Sequence, residues 1–209
     1  MITIINYGAG NLASVAKAIV KLGYEPRVTS DPKEVLKGRV VILPGVGAAG
    51  DAMQRLESLG MVEPILKVAA SDRPFLGICL GLQLLLTVSE ESGGQRCLDL
   101  VPGVVRKLPP TVKVPHMGWN QVNQKGTHPL FQGIPDGADF YFVHSYFAEP
   151  VDKSLVYGET SYGLPFCSVL ARGNMAATQF HPEKSNSVGL RLLQNFLELA
   201  HRRPQSTSL

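Results

Sequence analysis

Short, almost fully apolar runs alternate with helix-type patterns along the first half of the chain. The apolar runs have the length of buried strands and lie at residues 2–7, 40–43 and 75–78, with a weaker strand pattern at 25–30. The helix-type patterns, in which apolar residues recur every three or four positions, lie at residues 12–22, 51–59, 62–70 and 80–88. Such alternation predicts βαβ units and a largely parallel sheet.

The pattern changes after residue 94, where strand-type runs separated by turn residues predominate. These runs lie at residues 98–108, 120–123, 140–147, 155–162, 166–171 and 175–180. Residues 188–200 carry the only long helical pattern of this half. We therefore expect a single α/β domain over residues 1–203, with a central, mostly parallel mixed sheet flanked by helices and an antiparallel, strand-rich C-terminal half. Residues 204–209 are polar and are expected to form a frayed tail.

Composition places the chain among ordinary globular proteins. Of its 209 residues, 44% are hydrophobic and 18% are charged, and the net charge of +3 gives no basis for nucleic-acid binding. The three cysteines are widely spaced without a CxxC pair, which favours a reducing compartment over a disulfide framework or a zinc site. The first residues enter a strand without a basic leader, and no apolar run approaches about 18 residues. We therefore expect a cytoplasmic protein.

A candidate nucleophile lies where the apolar run at 75–78 meets the helical pattern at 80–88. Cys79 stands there between Gly77 and Gly81, which is the G-x-nucleophile-x-G spacing of a nucleophile elbow. Glycines allow a sharp reversal of the backbone, and the amino end of a helix favours a negative charge and therefore a thiolate. A free cysteine in an apolar run is equally often a small buried hydrophobe, so this stretch alone leaves both interpretations open.

Among the five histidines, His181 has the sequence context of a general base. It ends an apolar strand pattern, and the following Pro182 favours an extended backbone at His181. In an extended segment residues two apart lie on the same side, which brings Glu183 beside the imidazole. A carboxylate there would fix the tautomer and support the imidazolium. By itself this tripeptide is more typical of a surface turn, but together with Cys79 it predicts a Cys–His–Glu triad.

Acyl transfer also requires hydrogen-bond donors for the oxyanion. The N–H of Leu80 directly follows the nucleophile and is one candidate. The glycine-rich loop at 44–47 ends a neighbouring strand, so Val46 and Gly47 could bring a second N–H to the same edge through a peptide flip. An ordinary βα turn explains this loop equally well when the loop is judged alone.

Five motifs along the chain resemble those of the triad-type (class I) glutamine amidotransferases: in order, PGVG, GICLGLQLL, PHMGWN, YFVHSY and QFHPEKS. GICLG and HPE mark the broad family. NYGAGN, PGVG, PHMGWN and the Lys-Ser after HPE more narrowly resemble the glutaminase subunits of imidazole glycerol phosphate synthases. The resemblance covers nearly the whole chain. It implies the α/β fold of that family and the hydrolysis of L-glutamine to glutamate and ammonia for histidine biosynthesis.

The resemblance also implies roles for the catalytic residues. Cys79 would attack the side-chain amide of glutamine and form a thioester, while His181, oriented by Glu183, would transfer the protons. Leu80 and the loop that contains Val46 and Gly47 would stabilise the oxyanion.

Substrate binding is implied at three further positions. The side chain of Gln83 and the backbone of Ser145 and Tyr146 would hold the glutamine head group. A polar helix position and an ordinary strand remain the alternative interpretations of these residues. No metal or organic cofactor is implied, and the histidines show no metal-ligand spacing.

A glutaminase that serves synthesis must deliver ammonia by a dry route, because bulk water would protonate it. The resembled family docks onto a (β/α)₈-barrel cyclase, which implies a heterodimer with that partner. The docking face is implied at Asn11, His116, Met117, Trp119, Asn120, Tyr141 and Lys184. Trp and Met are favoured at interface cores, although a core position is the alternative for Trp119.

Other functions remain open at this point. One is a glutaminase that serves another synthase, such as pyridoxal phosphate synthase, against which PHMGWN speaks. A second is a cysteine peptidase, and a third is a catalytically silent docking subunit. The intact Cys79, His181 and Glu183 argue against a silent subunit.

Overall fold

The computed structural model describes residues 1–8, 10–71 and 73–201. The predicted boundary at residue 203 and the tail expected at 204–209 lie outside the described residues. The strands are β1 (Ile2–Ile5), β2 (Pro26–Thr29), β3 (Val40–Gly45), β4 (Phe75–Cys79), β5 (Leu86–Ser89), β6 (Gln95–Arg96), β7 (Val101–Lys107), β8 (His116–Gln124), β9 (Ala138–His144), β10 (Tyr146–Pro150), β11 (Val156–Ser161), β12 (Pro165–Arg172) and β13 (Met175–Thr178). The α-helices are α1 (Leu12–Lys21), α2 (Pro32–Lys37), α3 (Ala49–Ser58), α4 (Val62–Ala69), α5 (Leu80–Gln83) and α6 (Asn186–His201). Within the described ranges, no helix has the length and apolar character needed to cross a membrane.

The strands form one extended sheet whose two halves differ in strand direction. Strands β2, β1, β3, β4 and β13 lie side by side in that order and are all parallel. Strand β12 pairs antiparallel with β13, and the sheet continues through β10, β7, β5 and β6. Strands β11, β8 and β9 extend from β12 as an antiparallel branch. This topology confirms the predicted mixed sheet with an antiparallel C-terminal half.

Helices cover both faces of the parallel half. On one face α1 and α6 contribute side chains such as Ile19 and Phe196 to one apolar cluster. On the other face α3 and α4 contribute Leu56 and Ile65 to a second cluster. Because both faces are covered, β1, β3 and β4 are buried at every position and almost entirely apolar, as the sequence runs indicated.

The main departure from the sequence pattern follows Cys79. The helical pattern at 80–88 contains only the four-residue helix α5, and strand β5 begins three residues after it. Residues 84–86 are all leucines and all fully buried, so they are apolar on every side and helical spacing is uninformative there. The short helix α2 was not predicted; the side chain of Asp31 caps its amino end.

The turn after Cys79 depends on the absence of a side chain at Gly81. A Cβ atom placed there would lie 2.0 Å from the carbonyl oxygen of Leu43 on β3, and backbone cannot move aside as a flexible side chain can. We expect Gly81→Ala to lower the free energy of unfolding by about 3 kcal/mol or more, measured by urea denaturation.

The matched control for this substitution is Gly173→Ala. Gly173 has φ 59° and open space around its Cα, so alanine there tests backbone strain without a clash. We expect it to cost about 1 kcal/mol. An effect of Gly81→Ala no larger than that of the control would contradict the close-approach explanation.

Candidate active site

Cys79 lies at the sharp turn from β4 into α5. Its backbone has φ 55° and ψ −108°, a conformation that residues other than glycine rarely adopt. Cys79 ends β4 and pairs with Gly45, which ends the neighbouring strand β3. The strained turn therefore holds the thiol at the carboxyl edge of the parallel strands, beside the loop at 44–47.

His181 and Glu183 form a buried pair after β13. Nδ1 of His181 lies 2.8 Å from Oε1 of Glu183, and the two side chains are 2% and 1% exposed. His181 itself is extended, but Pro182–Lys184 form a 3₁₀ turn, so a tight turn and not the predicted extended segment brings Glu183 beside the imidazole. The segment is anchored because the His181 N–H donates to the Tyr141 carbonyl at 2.9 Å. Since Nδ1 faces the carboxylate, Nε2 is the nitrogen left for the thiol and for a substrate.

His181 also interacts with Cys79. Burial lowers the pKa of His181, but its interactions with Cys79 and Glu183 outweigh burial and raise that pKa to about 10. Cys79 raises the pKa through hydrogen bonding and through charge, although Nε2 of His181 is buried and makes no fully aligned hydrogen bond to any described group. A pKa this high keeps the imidazole protonated at neutral pH, as a thiolate–imidazolium pair requires.

A cleft of about 430 Å³ opens beside Cys79. Leu80 lines it from the nucleophile's side, and Val46 and Gly47 line it from the loop after β3. Gly47 has φ 94°, which glycine adopts without strain, and Val46 is 40% exposed. The remaining residues predicted to bind substrate also line the cleft; they are Gln83, Ser145 and Tyr146. The structure thus brings together at one cleft all the residues expected to hold glutamine or its oxyanion.

Hydrogen bonds fix the orientation of the Gln83 amide. Its Nε2 donates to the Tyr146 carbonyl at 2.7 Å and to Oε1 of Gln179 at 3.3 Å. Nε2 of Gln179 in turn lies 3.8 Å from Sγ of Cys79. Because both N–H groups of Gln83 are engaged, Oε1 is the atom that this side chain has left for a ligand.

Three polar residues of the site were not predicted from the sequence: Glu91, Gln179 and His144, the last of which also lines the cleft. Glu91 lines the cleft, and its Oε2 accepts a hydrogen bond from the Ala49 N–H at 2.6 Å. Gln179 is fully buried and connects Gln83 with the nucleophile. Gln179 is a polar residue inside the apolar run at 175–180, and that contrast could have indicated it. Glu91 lies 42 residues from its partner in a segment without a regular pattern, so no local signal indicates it.

Part of the expected docking face is an exposed surface beside the cleft. Met117 and Trp119 are 63% and 49% exposed, which argues against a core position for the tryptophan. The ring of Tyr141 lies 5.9 Å from that of Trp119. Nζ of Lys184 lies 5.9 Å from the centre of the Tyr141 ring, and Lys184 also lines the cleft. Aromatic, apolar and cationic groups therefore form one continuous surface here.

His116, which the resemblance also assigns to the docking face, does not lie on that exposed surface. It is 3% exposed because side chains alternate along β8, which turns His116 and Asn120 away from the face that carries Trp119. The amide nitrogen of Asn120 lies 3.3 Å from Nε2 of His116. Asn11 caps α1 by accepting a hydrogen bond from the Ser14 N–H.

Comparison with known proteins gives concordant results. A family model described as glutamine amidotransferase class-I matches residues 3–200. The chain is 53% identical over 200 residues to "Imidazole glycerol phosphate synthase subunit HisH" of Dehalococcoides mccartyi (strain CBDB1), covering 96% of this chain and 98% of the relative. It is 55% identical over 198 residues to the protein of the same name from Moorella thermoacetica, covering 95% and 94% of the two chains.

The fold is likewise similar to solved structures. The crystal structure of a glutamine amidotransferase from Thermotoga maritima has a TM-score of 0.69 at 15% identity, covering 97% of this chain and 98% of that one. At this identity the structural likeness speaks for the fold alone. The family model covers nearly the whole sequence, and the two relatives exceed half identity over almost their full length. The chain therefore belongs to the class-I glutamine amidotransferase family.

Proposed function

We propose that this chain is the glutaminase subunit of an imidazole glycerol phosphate synthase. It hydrolyses L-glutamine to glutamate and ammonia and passes the ammonia to a (β/α)₈-barrel cyclase, in histidine biosynthesis. The observation that carries the proposal is that Cys79, which lines the cleft, interacts with the buried His181–Glu183 pair. The names of the relatives point to the same activity. The three free cysteines favour a reducing, cytoplasmic location.

Acylation begins with attack of the Cys79 sulfur on the side-chain carbonyl carbon of glutamine. The carbonyl electrons move to oxygen, and the N–H groups of Leu80 and of the loop at Val46–Gly47 stabilise the oxyanion. His181, protonated because of its raised pKa, donates a proton from Nε2 to the departing amide nitrogen. The C–N bond breaks, ammonia leaves, and a γ-glutamyl thioester remains on Cys79.

Deacylation reverses the direction of proton transfer. His181 has given up its proton, so its Nε2 accepts one from a water molecule that attacks the thioester. Glutamate is released and the thiolate returns. Glu183 holds Nδ1 throughout at 2.8 Å, which keeps Nε2 directed toward the reacting atoms in both steps.

Polar groups of the cleft favour free glutamine over glutamine in a peptide. Free glutamine carries an α-ammonium group, and Glu91 supplies a carboxylate on the cleft wall. Oε1 of Gln83 offers a second acceptor. Both lone pairs of the Tyr146 carbonyl are occupied, because that oxygen accepts hydrogen bonds from Gln83 and His144. The backbone of residues 145–146 therefore binds glutamine through groups other than this carbonyl. A peptide substrate would lack the charge that Glu91 is suited to bind.

The surface formed by Met117, Trp119, Tyr141 and Lys184 is the proposed docking face for the cyclase. Exposed aromatic and methionine side chains are enriched at interface cores. Lys184 lines the cleft as well as this surface, and it directly follows the catalytic Glu183 in sequence. A partner bound here would cover the mouth of the cleft, as protected delivery of ammonia requires.

Glutamine hydrolysis with and without the cyclase tests this proposal. We expect little glutamate release from the chain alone and about 5-fold to 150-fold more in the complex with the cyclase and its ligand. The physical reason is that Val46 lies on the exposed loop beside Gly47, where a partner can fix the peptide orientation.

The control for partner identity is the synthase subunit of a pyridoxal phosphate synthase, which we expect to give no stimulation. Absence of glutaminase activity in the cyclase complex would contradict the proposed function. Full turnover by the isolated chain would contradict gating of the loop while leaving the hydrolytic function in place.

A further inference from the structure

Two buried histidines, His116 on β8 and His144 at the end of β9, take no part in the proton transfers proposed above. They are 3% and 6% exposed and face each other across the β8–β9 pair. A buried polar ring without hydrogen bonds is costly, so the partners of these rings indicate what the rings do.

The hydrogen bonds of the two rings run in one direction. Nδ1 of His144 lies 2.9 Å from the carbonyl oxygen of Tyr146. A carbonyl only accepts, so this Nδ1 carries the proton and Nε2 of His144 is an acceptor. Nδ1 of His116 lies 2.9 Å from that Nε2 and must therefore donate to it. Nε2 of His116 is then left to accept from the amide nitrogen of Asn120, at 3.3 Å.

The surroundings keep both rings neutral, as this order of donors requires. Burial lowers the pKa of His116 to about 4. Burial also lowers the pKa of His144 to about 3; the Tyr146 carbonyl opposes this, and positive charge on His116 or His181 would lower it further. The ring of His116 is stacked on Tyr162 with centroids 4.0 Å apart, which holds its plane in place.

The series of hydrogen bonds ends at the substrate cleft. The Tyr146 carbonyl that accepts from His144 also accepts from Nε2 of Gln83, at 2.7 Å. The position of that carbonyl therefore determines where the Gln83 amide lies and which way its free oxygen points. The other end begins on β8 at Asn120, whose amide nitrogen also donates to the Ser161 carbonyl at 3.1 Å.

We propose that Asn120, His116 and His144 form a hydrogen-bond relay that positions the Tyr146 carbonyl, and through it Gln83, for the substrate glutamine. His116 and His144 are positioning residues in this relay. They act through Gln83 and move no proton in the reaction. The inference rests on the proposed function, because it takes glutamine as the ligand of the cleft.

The first test is independent of activity and needs no substitution. Side-chain ¹⁵N–¹H correlation spectra of the ¹⁵N-histidine-labelled chain report the tautomer and charge of each ring. At pH 7 we expect both His116 and His144 to be neutral with the proton on Nδ1. A neutral Nε2–H tautomer or a cationic ring at either position would overturn the relay.

The second test is a steady-state comparison in the complex with the cyclase. His116→Phe keeps an aromatic ring to stack on Tyr162 but removes both hydrogen bonds. We expect it to raise KM for glutamine about threefold to tenfold with kcat nearly unchanged, and His144→Phe to do the same. Because the relay is serial, the double variant should be no worse than the more impaired single variant. His116→Asn, whose amide nitrogen can replace Nδ1, should return KM to within about twofold of the wild type.

His128→Phe is the matched control, since His128 packs on Tyr157 and lies outside the cleft. It should leave KM unchanged. The proposal would be overturned if KM were unchanged in both relay variants or if only kcat fell. It would also be overturned if the losses of the two variants were fully additive or if His116→Asn failed to restore KM. A wild-type complex without glutaminase activity would contradict the proposed function instead, and the spectra would still decide whether the relay exists.

Discussion

Cys79→Ala is expected to abolish glutamine-dependent synthesis by the cyclase complex while leaving ammonia-dependent synthesis intact. Removal of the sulfur leaves no atom to form the thioester, so the loss should be on the order of 10⁴-fold or more. The backbone strain at φ 55° remains tolerable because alanine has a smaller side chain than cysteine. The measurement is the rate of product formation with glutamine and, separately, with an ammonium salt as nitrogen source.

The control for Cys79→Ala is Cys97→Ala. Cys97 is a partly buried free cysteine that does not line the cleft, and burial raises its pKa to about 11, so it is a poor nucleophile at neutral pH. We expect both activities of this variant to match the wild type. If Cys79→Ala also lost the ammonia-dependent activity, a role limited to ammonia supply would be contradicted. Retained glutamine-dependent synthesis would exclude Cys79 as the nucleophile.

The parts of the site that the sequence predicted well are those fixed by short-range geometry. The elbow is encoded within a few residues, because Cys79 needs an apolar strand before it and glycines on both sides. The pairing of His181 with Glu183 is also local, although a 3₁₀ turn at Pro182–Lys184, and not the predicted extended backbone, brings the two side chains to 2.8 Å. Alternation of strands with helices likewise predicts the parallel half of the sheet, since βαβ connections are local.

The parts that the sequence did not predict depend on which segments meet in three dimensions. Leu84–Leu86 fit a helical pattern, yet they are buried on every side and lead into β5, which the neighbouring β7 stabilises. His116, Met117, Trp119 and Asn120 of PHMGWN were all assigned to the docking face. The pleat of β8 divides them, leaving Trp119 outside and His116 inside. Glu91 reaches the amino end of α3 only because the fold brings two distant segments together.

The buried carboxylate of Glu183 connects this short-range geometry with the chemistry. Burial by itself lowers the pKa of His181, and Cys79 and Glu183 together raise it to about 10. In the wild-type enzyme the His181 ring should therefore stay protonated up to a pH well above neutral. Without the carboxylate the pKa of His181 must fall, and the proton needed by the departing ammonia is lost at a lower pH.

We accordingly expect Glu183→Gln to lower kcat on the order of 10³-fold and to move the alkaline limb of the kcat/KM profile to lower pH. Glutamine at this position keeps the volume but removes the charge, and its amide group can hold Nδ1 in the wrong tautomer. The matched control is Glu159→Gln, which breaks a partly exposed ion pair with Lys125 at 3.1 Å and should leave both kcat and the profile unchanged. A lower kcat with an unshifted alkaline limb would mean that Glu183 orients the ring without supporting its charge. An unchanged kcat would remove Glu183 from the catalytic triad.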